Sequence, residues 1–146
     1  MCIFCNIIQG KDTAYIVYSD DNVVAFLDKY PITPGHTLVV PKNHYDNFLE
    51  IPDNVSFHLC SSVRKIAIAV KKALDADGVR ILTNVGKSAG QVIFHSHFHI
   101  IPTWSHDPPI LKNFVPRKEQ PKEYYEYIQK AIIESLKNDN IKGIII

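Results

Sequence analysis

The run His-Ser-His-Phe-His-Ile-Ile at residues 95–101 places a histidine at every second position, His95, His97 and His99. In an extended strand successive side chains point to opposite faces, so the three imidazoles project together. Each buried ring brings two nitrogens that need partners, which makes three in register costly for packing alone. A neutral imidazole is suited to nucleophilic attack, proton transfer and metal ligation near neutral pH. One ion cannot hold all three, because His95 and His99 lie about 13 Å apart along a strand. A His-x-His metal site completed by a nearby glutamate is not offered either: Ile-Ile-Pro-Thr-Trp follows His99, and the first acid is Asp107.

Cys2 and Cys5 form a Cys-x-x-Cys at the start of the chain, and Cys60 stands alone in a later helical stretch. An odd count of three, without a charged region followed by an apolar leader, predicts thiols in a reducing, cytoplasmic setting. Cys60 is expected to be a small buried residue. The chain has 146 residues, 46% of them hydrophobic, enough for one domain with a real core. No apolar run approaches the length of a membrane span. Sixteen basic residues against 15 acidic ones leave a formal net charge of +1, too little field for a dedicated nucleic-acid-binding module. A small phosphate-bearing ligand is compatible with that balance.

The elements that must position these residues follow from patterning. Tyr15–Tyr18 and Asn22–Asp28 read as two strands around a Ser-Asp-Asp turn, and His36–Val40 as a third, ended by Pro41. From an N-cap at Asp53 or Asn54, the set Val55, Leu59, Val63, Ile66, Val70 and Leu74 predicts a helix of about six turns, stopped near Gly78. Val79–Val85 is a fourth strand, residues 86–91 a polar loop, and the histidine strand follows, ended by Pro102. Residues 103–120 predict an extended or lid-like segment. Pro121 opens a second helix with Tyr125, Ile128, Ile132 and Leu136 as its stripe, over about residues 121–138. The final Ile-Lys-Gly-Ile-Ile-Ile suits either an edge strand or a groove. The pattern is α+β with a mainly antiparallel sheet, a long central helix and a C-terminal helix.

The triad resembles the His-φ-His-φ-His-φ-φ signature of the histidine-triad (HIT) family, with Ser96 a polar exception at the first φ. The resemblance extends through Cys2-Ile3-Phe4-Cys5-x-Ile7-Ile8, Ala25-Phe26-Leu27-Asp28, Pro34-Gly35-His36-Thr37-Leu38-Val39-Val40-Pro41-Lys42-x-His44, Asn84-Val85-Gly86 and Ala89-Gly90-Gln91. It covers residues 2–102 nearly continuously, and implies one HIT domain over 1–146: a five-stranded core at 2–102 and an extension at 103–146.

The resemblance implies a hydrolase acting at the α-phosphorus of purine nucleoside 5′-phosphoramidates or related nucleotidyl compounds. His97 would be the nucleophile, forming a nucleotidyl-histidine that water resolves, with His99, His36 and Asn84 around the phosphate. Asp28 would accept from the ribose hydroxyls, Ile3, Phe4, Ile7 and Phe26 would line a slot for the base, and Gly90 and Gln91 would contact substrate. Where many relatives carry Ser or Thr after Gly-Gln, this chain has Val92. Relatives also complete a structural zinc centre at the positions of Cys2, Cys5, His44 and His95. A homodimer joined through the long helix and its neighbouring strand is implied as well. Dinucleoside polyphosphate hydrolysis, nucleotidyl transfer, and nucleotide sensing with little turnover are the alternatives.

Overall fold

Alternation along β2 (Val23–Leu27) and β3 (Thr37–Pro41) sends successive side chains into two different apolar clusters, so both strands are buried throughout. With both faces covered, the strands read as continuous Val/Leu/Ala/Phe runs. The computed structural model describes the backbone of residues 2–145 and the side chains of residues 2–138. β1 (Ile16–Ser19), β4 (Gly78–Leu82) and β5 (Phe98–Thr103) complete a five-stranded sheet of order β1-β2-β3-β5-β4, antiparallel at every pairing. The helices are α1 (Ile3–Ile8), α2 (Asp53–Ala73) and α3 (Lys122–Ile145). This is the expected α+β architecture, with α1 added.

One face of the sheet carries Val23, Ala25, Leu27, Val39 and Ile100, packed against α2 and α3 in the larger cluster. α2 contributes Leu59, Val63, Ile66 and Val70 from its predicted stripe, and α3 contributes Tyr125, Ile128, Ile132 and Leu136. On the other face Val24, Phe26, Leu38 and Val40 pack with Phe4 and Ile7 of α1. Leu38 pairs with His99, so that histidine shares this second face. A six-residue helix covers far less of a sheet face than two long ones.

Several boundaries differ from expectation. His95, Ser96 and His97 precede β5 rather than lying in it, and Ser96 N–H donates to Tyr45 O at 2.6 Å instead of joining a ladder. Pro102 does not end the strand. The β3 ladder stops at Thr37–Ile100, Pro102 O accepts from Thr33 Oγ1 at 2.7 Å on that side, and no strand needs the missing N–H. α2 is preceded by Pro52 without a side-chain cap, and Asp75, at φ 51, makes the left-handed stop expected at Gly78. Gly35, at φ +88, turns the chain into β3 where a Cβ would collide with Leu74 Cδ1.

Cys60 is exposed, not buried as expected, one position out of phase with the buried Leu59. Residues 103–120 are strapped down rather than lid-like. Trp104 Nε1–H donates to Leu74 O at 3.2 Å, and Arg117 N–H donates to Pro31 O at 2.8 Å. The backbone of the last residues continues α3 to Ile145 instead of forming an edge strand; their side chains lie outside the described residues.

Candidate active site and metal centre

Two clusters of chemically capable side chains meet at the start of β5. In the first, one ligand atom from each of Cys2, Cys5, His44 and His95 falls within 4.8 Å of the others. Cys2 Sγ lies 3.3 Å from His95 Nδ1, Cys5 Sγ 3.4 Å from His44 Nδ1, and Cys5 Sγ 3.5 Å from His95 Nδ1. A tetrahedral zinc with bonds of about 2.0–2.3 Å has N···S edges of about 3.5 Å. The donor chemistry fits too. His95 Nε2 lies 2.8 Å from Pro41 O, and His44 Nε2 lies 3.1 Å from Asp46 Oδ1. Only an N–H can bond those acceptors, so both rings turn a bare Nδ1 toward the thiols, as metal-ligating histidines do. Burial and then the adjacent Cys2 thiol push the Cys5 thiol up, an arrangement a cation relieves.

The second cluster is Asp28, His36 and His99, with ligand atoms equally close. Its hydrogen bonds exclude the same role. His36 Nδ1 accepts from Ile32 N–H at 3.0 Å, which leaves the proton on Nε2. That Nε2–H donates to His99 Nδ1 at 2.9 Å and faces Asp28 Oδ2 at 3.5 Å. His99 therefore carries its own proton on Nε2. These three form a directional relay, and a metal on His36 Nε2 would need an imidazolate.

His97 sits between the clusters. Its Nδ1–H donates to His95 O at 2.7 Å, so Nε2 keeps a free lone pair. Thr83 Oγ1 donates to His97 O at 2.7 Å, and the Phe4 ring packs edge-to-face with His97 at 5.1 Å between centroids. His97 and His99 are in ring contact at 4.9 Å. Burial is the largest cause of the low proton affinity of this group: it holds His36 and His97 below the ordinary histidine value. His99 falls to about 4, with the neighbouring His97 and His36 adding to burial. Neutral imidazoles at physiological pH result.

The remaining expected site residues divide. Asp28 is half-buried beside His36, with Oδ1 accepting from Tyr30 N–H at 2.8 Å. Gly90, at φ +97, passes over Asn84, whose Nδ2 is 3.5 Å from where a Cβ would stand. Gln91 is buried with its amide committed: Oε1 accepts from Gly86 N–H, and Nε2 donates to Asp46 O and Ile93 O. Its side chain shapes the loop and has no donor left over. Of the four residues expected to line a base slot, Phe4, Ile7 and Phe26 are buried against one another, and only Ile3 is substantially exposed, at 48%. Val92 is 86% exposed.

Sequence reasoning did not anticipate the contact of Phe4 with His97, or the anchoring of the two thiol-facing histidines by Pro41 and Asp46. The traces were that Phe4 stands between the paired cysteines and that Asp46 stands two positions after His44.

Two predictions arise here. The Ser96 hydroxyl is buried with no partner, and an unmet buried hydroxyl costs about 1–3 kcal/mol. Ser96→Ala is expected to raise the melting temperature by about 3 °C; a fall on calorimetric melting would contradict this reading. His36 and His99 bind protons less readily folded than unfolded. Their neutral-state stability is present above the unfolded value of about 6.5 and is lost as pH falls toward about 4. Melting temperature is expected to decline across that window, and His99→Asn to flatten the decline. An unchanged slope in the variant would remove His99 as a contributor.

With this geometry in place, comparison with known proteins is informative. A family model described as the HIT domain matches residues 9–106. The chain is 76% identical to an uncharacterised HIT-like protein of Saccharolobus solfataricus, covering 94% of this chain and 99% of that one. It is 43% identical to an adenylylsulfatase of Arabidopsis thaliana, over 73% of this chain and 54% of the relative. Among solved structures, a hypothetical histidine triad nucleotide-binding protein of Sulfolobus tokodaii superposes with a TM-score of 0.91 at 54% identity, covering 94% and 93% of the two chains. A zinc-bound histidine triad family protein of Mycobacterium smegmatis gives 0.76 at 34% identity, covering 91% and 94%.

Proposed function

The chain belongs to the HIT family, and on that premise we propose that it hydrolyses purine nucleoside 5′-phosphoramidates or related nucleotidyl compounds through a nucleotidyl-His97 intermediate. The observation that carries this reading is the His97 ring: neutral, buried, and locked by its Nδ1–H bond to His95 O so that Nε2 is bare. Attack by Nε2 on the α-phosphorus forms a P–N bond and breaks the bond to the leaving group. A covalent intermediate splits one difficult displacement into two easier ones. The relay gives His99 an Nε2–H, a donor for the phosphoryl oxygens, and Asn84 Nδ2 is a second. Water then cleaves the P–N bond, releases the nucleoside monophosphate and restores neutral His97. Asp28 is the acceptor for the ribose hydroxyls. The base stacks over the Ile3 edge of α1, with Phe4, Ile7 and Phe26 as its floor.

The relationship to an adenylylsulfatase supports an adenylyl donor and keeps open anionic leaving groups beside amines. Exposed Val92 supplies no hydroxyl to a leaving group. Zinc is the ion proposed for Cys2, Cys5, His44 and His95, which would hold it with four protein donors and supply rigidity rather than an open coordination position. We also propose a cytoplasmic homodimer. β4 is an edge strand with Ile81 48% exposed, and an apolar groove lined by Val63, Ala67, Ile68 and Phe98 lies beside it. No helix among the described residues is long and apolar enough to cross a membrane.

The test is chemical trapping. Protein mixed with adenosine 5′-phosphoramidate and quenched in alkali, where a P–N adduct survives, is digested and mapped by mass spectrometry. An adenylyl group on His97 is the expected result. Turnover with no adduct at His97, or an adduct elsewhere, overturns the mechanism.

A further inference from the structure

The loop from Asp28 to His36 carries two of the side chains assigned to substrate, and its own main chain holds both of them. Asp28 N–H donates to His36 O at 2.9 Å and closes the loop. Inside it, Tyr30 N–H donates to Asp28 Oδ1 at 2.8 Å, and Ile32 N–H donates to His36 Nδ1 at 3.0 Å. Each of these amides shares a peptide unit with a carbonyl that is held from outside. Tyr125 Oη–H donates to Lys29 O at 2.7 Å, and Arg117 N–H donates to Pro31 O at 2.8 Å. Both peptides are trans, so C=O and N–H point in opposite directions. Fixing the oxygen therefore aims the N–H, and a bonded carbonyl makes its amide a stronger donor.

The outer partners are themselves held in place. Tyr125 is buried, stacks on Tyr15 at 4.9 Å, and accepts from Gln120 N–H at 2.9 Å. Burial pushes its phenol up, so the hydroxyl keeps the proton it donates. Gln120 Nε2 donates to Val115 O and to Lys118 O, both at 2.7 Å, which fixes the turn that presents Arg117 at φ 64. At the far end of the loop, Tyr124 Oη accepts from Gly35 N–H at 2.8 Å. Arg117, Tyr124 and Tyr125 all lie beyond residues 9–106, the span matched by the HIT domain model.

We propose that residues 117–125 are a brace that sets Asp28 and His36 through the Lys29–Tyr30 and Pro31–Ile32 peptides and through Gly35, with Tyr125 a positioning residue for ribose recognition. The inference rests on the reading of Asp28 as acceptor for the ribose hydroxyls. It adds that the C-terminal extension, which touches no substrate, sets how sharply those hydroxyls are recognised.

Binding of AMP and of 2′,3′-dideoxy-AMP is measured by calorimetry for full-length wild type, Tyr125→Phe and Ile132→Val. Tyr125→Phe removes the donor to Lys29 O and keeps the ring. Ile132→Val trims the core under α3 away from the loop and controls for lost stability. Wild type is expected to prefer AMP by about tenfold or more. Tyr125→Phe is expected to cut that preference by about threefold or more, with dideoxy-AMP affinity nearly unchanged. Its Tyr30 amide proton is expected to move upfield in ¹H–¹⁵N spectra, because Lys29 O has lost its donor. Ile132→Val is expected to melt earlier and keep the wild-type preference.

Should Tyr125→Phe not fold, Tyr124→Phe decides: it frees Gly35 N–H and is expected to lower the preference in the same direction. An unchanged preference in the tyrosine variant overturns the inference and leaves the hydrolase reading intact. A lower preference with an unmoved Tyr30 amide in Tyr125→Phe, or an equal loss in Ile132→Val, overturns it as well. A wild type that binds both nucleotides alike instead removes Asp28 from ribose recognition, and the inference falls with that reading.

Discussion

His97→Ala is expected to lower turnover of adenosine 5′-phosphoramidate by about four orders of magnitude or more, the range seen when a covalent nucleophile is removed. The size follows from the site. No other imidazole there offers an equivalent lone pair: His99 Nδ1 and His36 Nδ1 are occupied as acceptors, and His95 Nδ1 faces the thiols. Water attacking directly would have to accomplish the displacement in one step without a positioned base. The fold should survive, because the truncation leaves the Phe4–Phe26 contact and the β3–β5 ladder in place. His97→Gly with added imidazole supplies the complementary result, partial rescue by a diffusible nucleophile. Retention of a tenth or more of wild-type turnover in His97→Ala would end the assignment of this residue.

The second large effect concerns stability. Cys2→Ser combined with Cys5→Ser is expected to lower the melting temperature by about 10 °C and to remove zinc from the purified protein together. Structural zinc contributes its binding free energy to the folded state, and a loss of a few kcal/mol corresponds to a shift of that order in a chain of this size. Two features localise the damage. α1 fully buries only Phe4 and Ile7, and its N-cap acceptor is the Cys2 Sγ that receives Cys5 N–H at 3.3 Å. His95 is fully buried, so its imidazole loses the groups its Nδ1 faces where water cannot replace them. Metal analysis showing no zinc in either protein, with unchanged melting, would refute the centre.

How much of this was legible beforehand depends on the range of the interaction. α2 and α3 were readable because each repeats an apolar residue over several turns, and those stripes are the ones buried in the larger cluster. The triad was readable because alternation alone puts its rings on one side, and that survives although His95 and His97 lie outside the ladder. α1 was not, since six residues hold too little periodicity and its cap is a thiol. Phe4, Ile7 and Phe26 could equally be core or ligand contacts on sequence grounds, and their burial against one another favours the first for most of their surface. Pro102 misled because a proline's cost depends on which neighbour its nitrogen faces, a tertiary fact. The roles of Pro41 O and Tyr45 O depend on contacts between residues more than 50 positions apart, which no local pattern encodes, whereas Asp46 stands only two positions from the His44 it anchors.

The way β2 and β3 deal their side chains alternately to two clusters has an evolutionary corollary. Val23, Ala25, Leu27 and Val39 answer to the two long helices, whereas Val24, Phe26, Leu38 and Val40 answer to α1 and the face of the triad. Drift at the first set repacks the sheet against the long helices, and drift at the second repacks α1 behind the triad, even between adjacent codons. A lineage can therefore readjust the layer behind His97 while the larger core stays as it is.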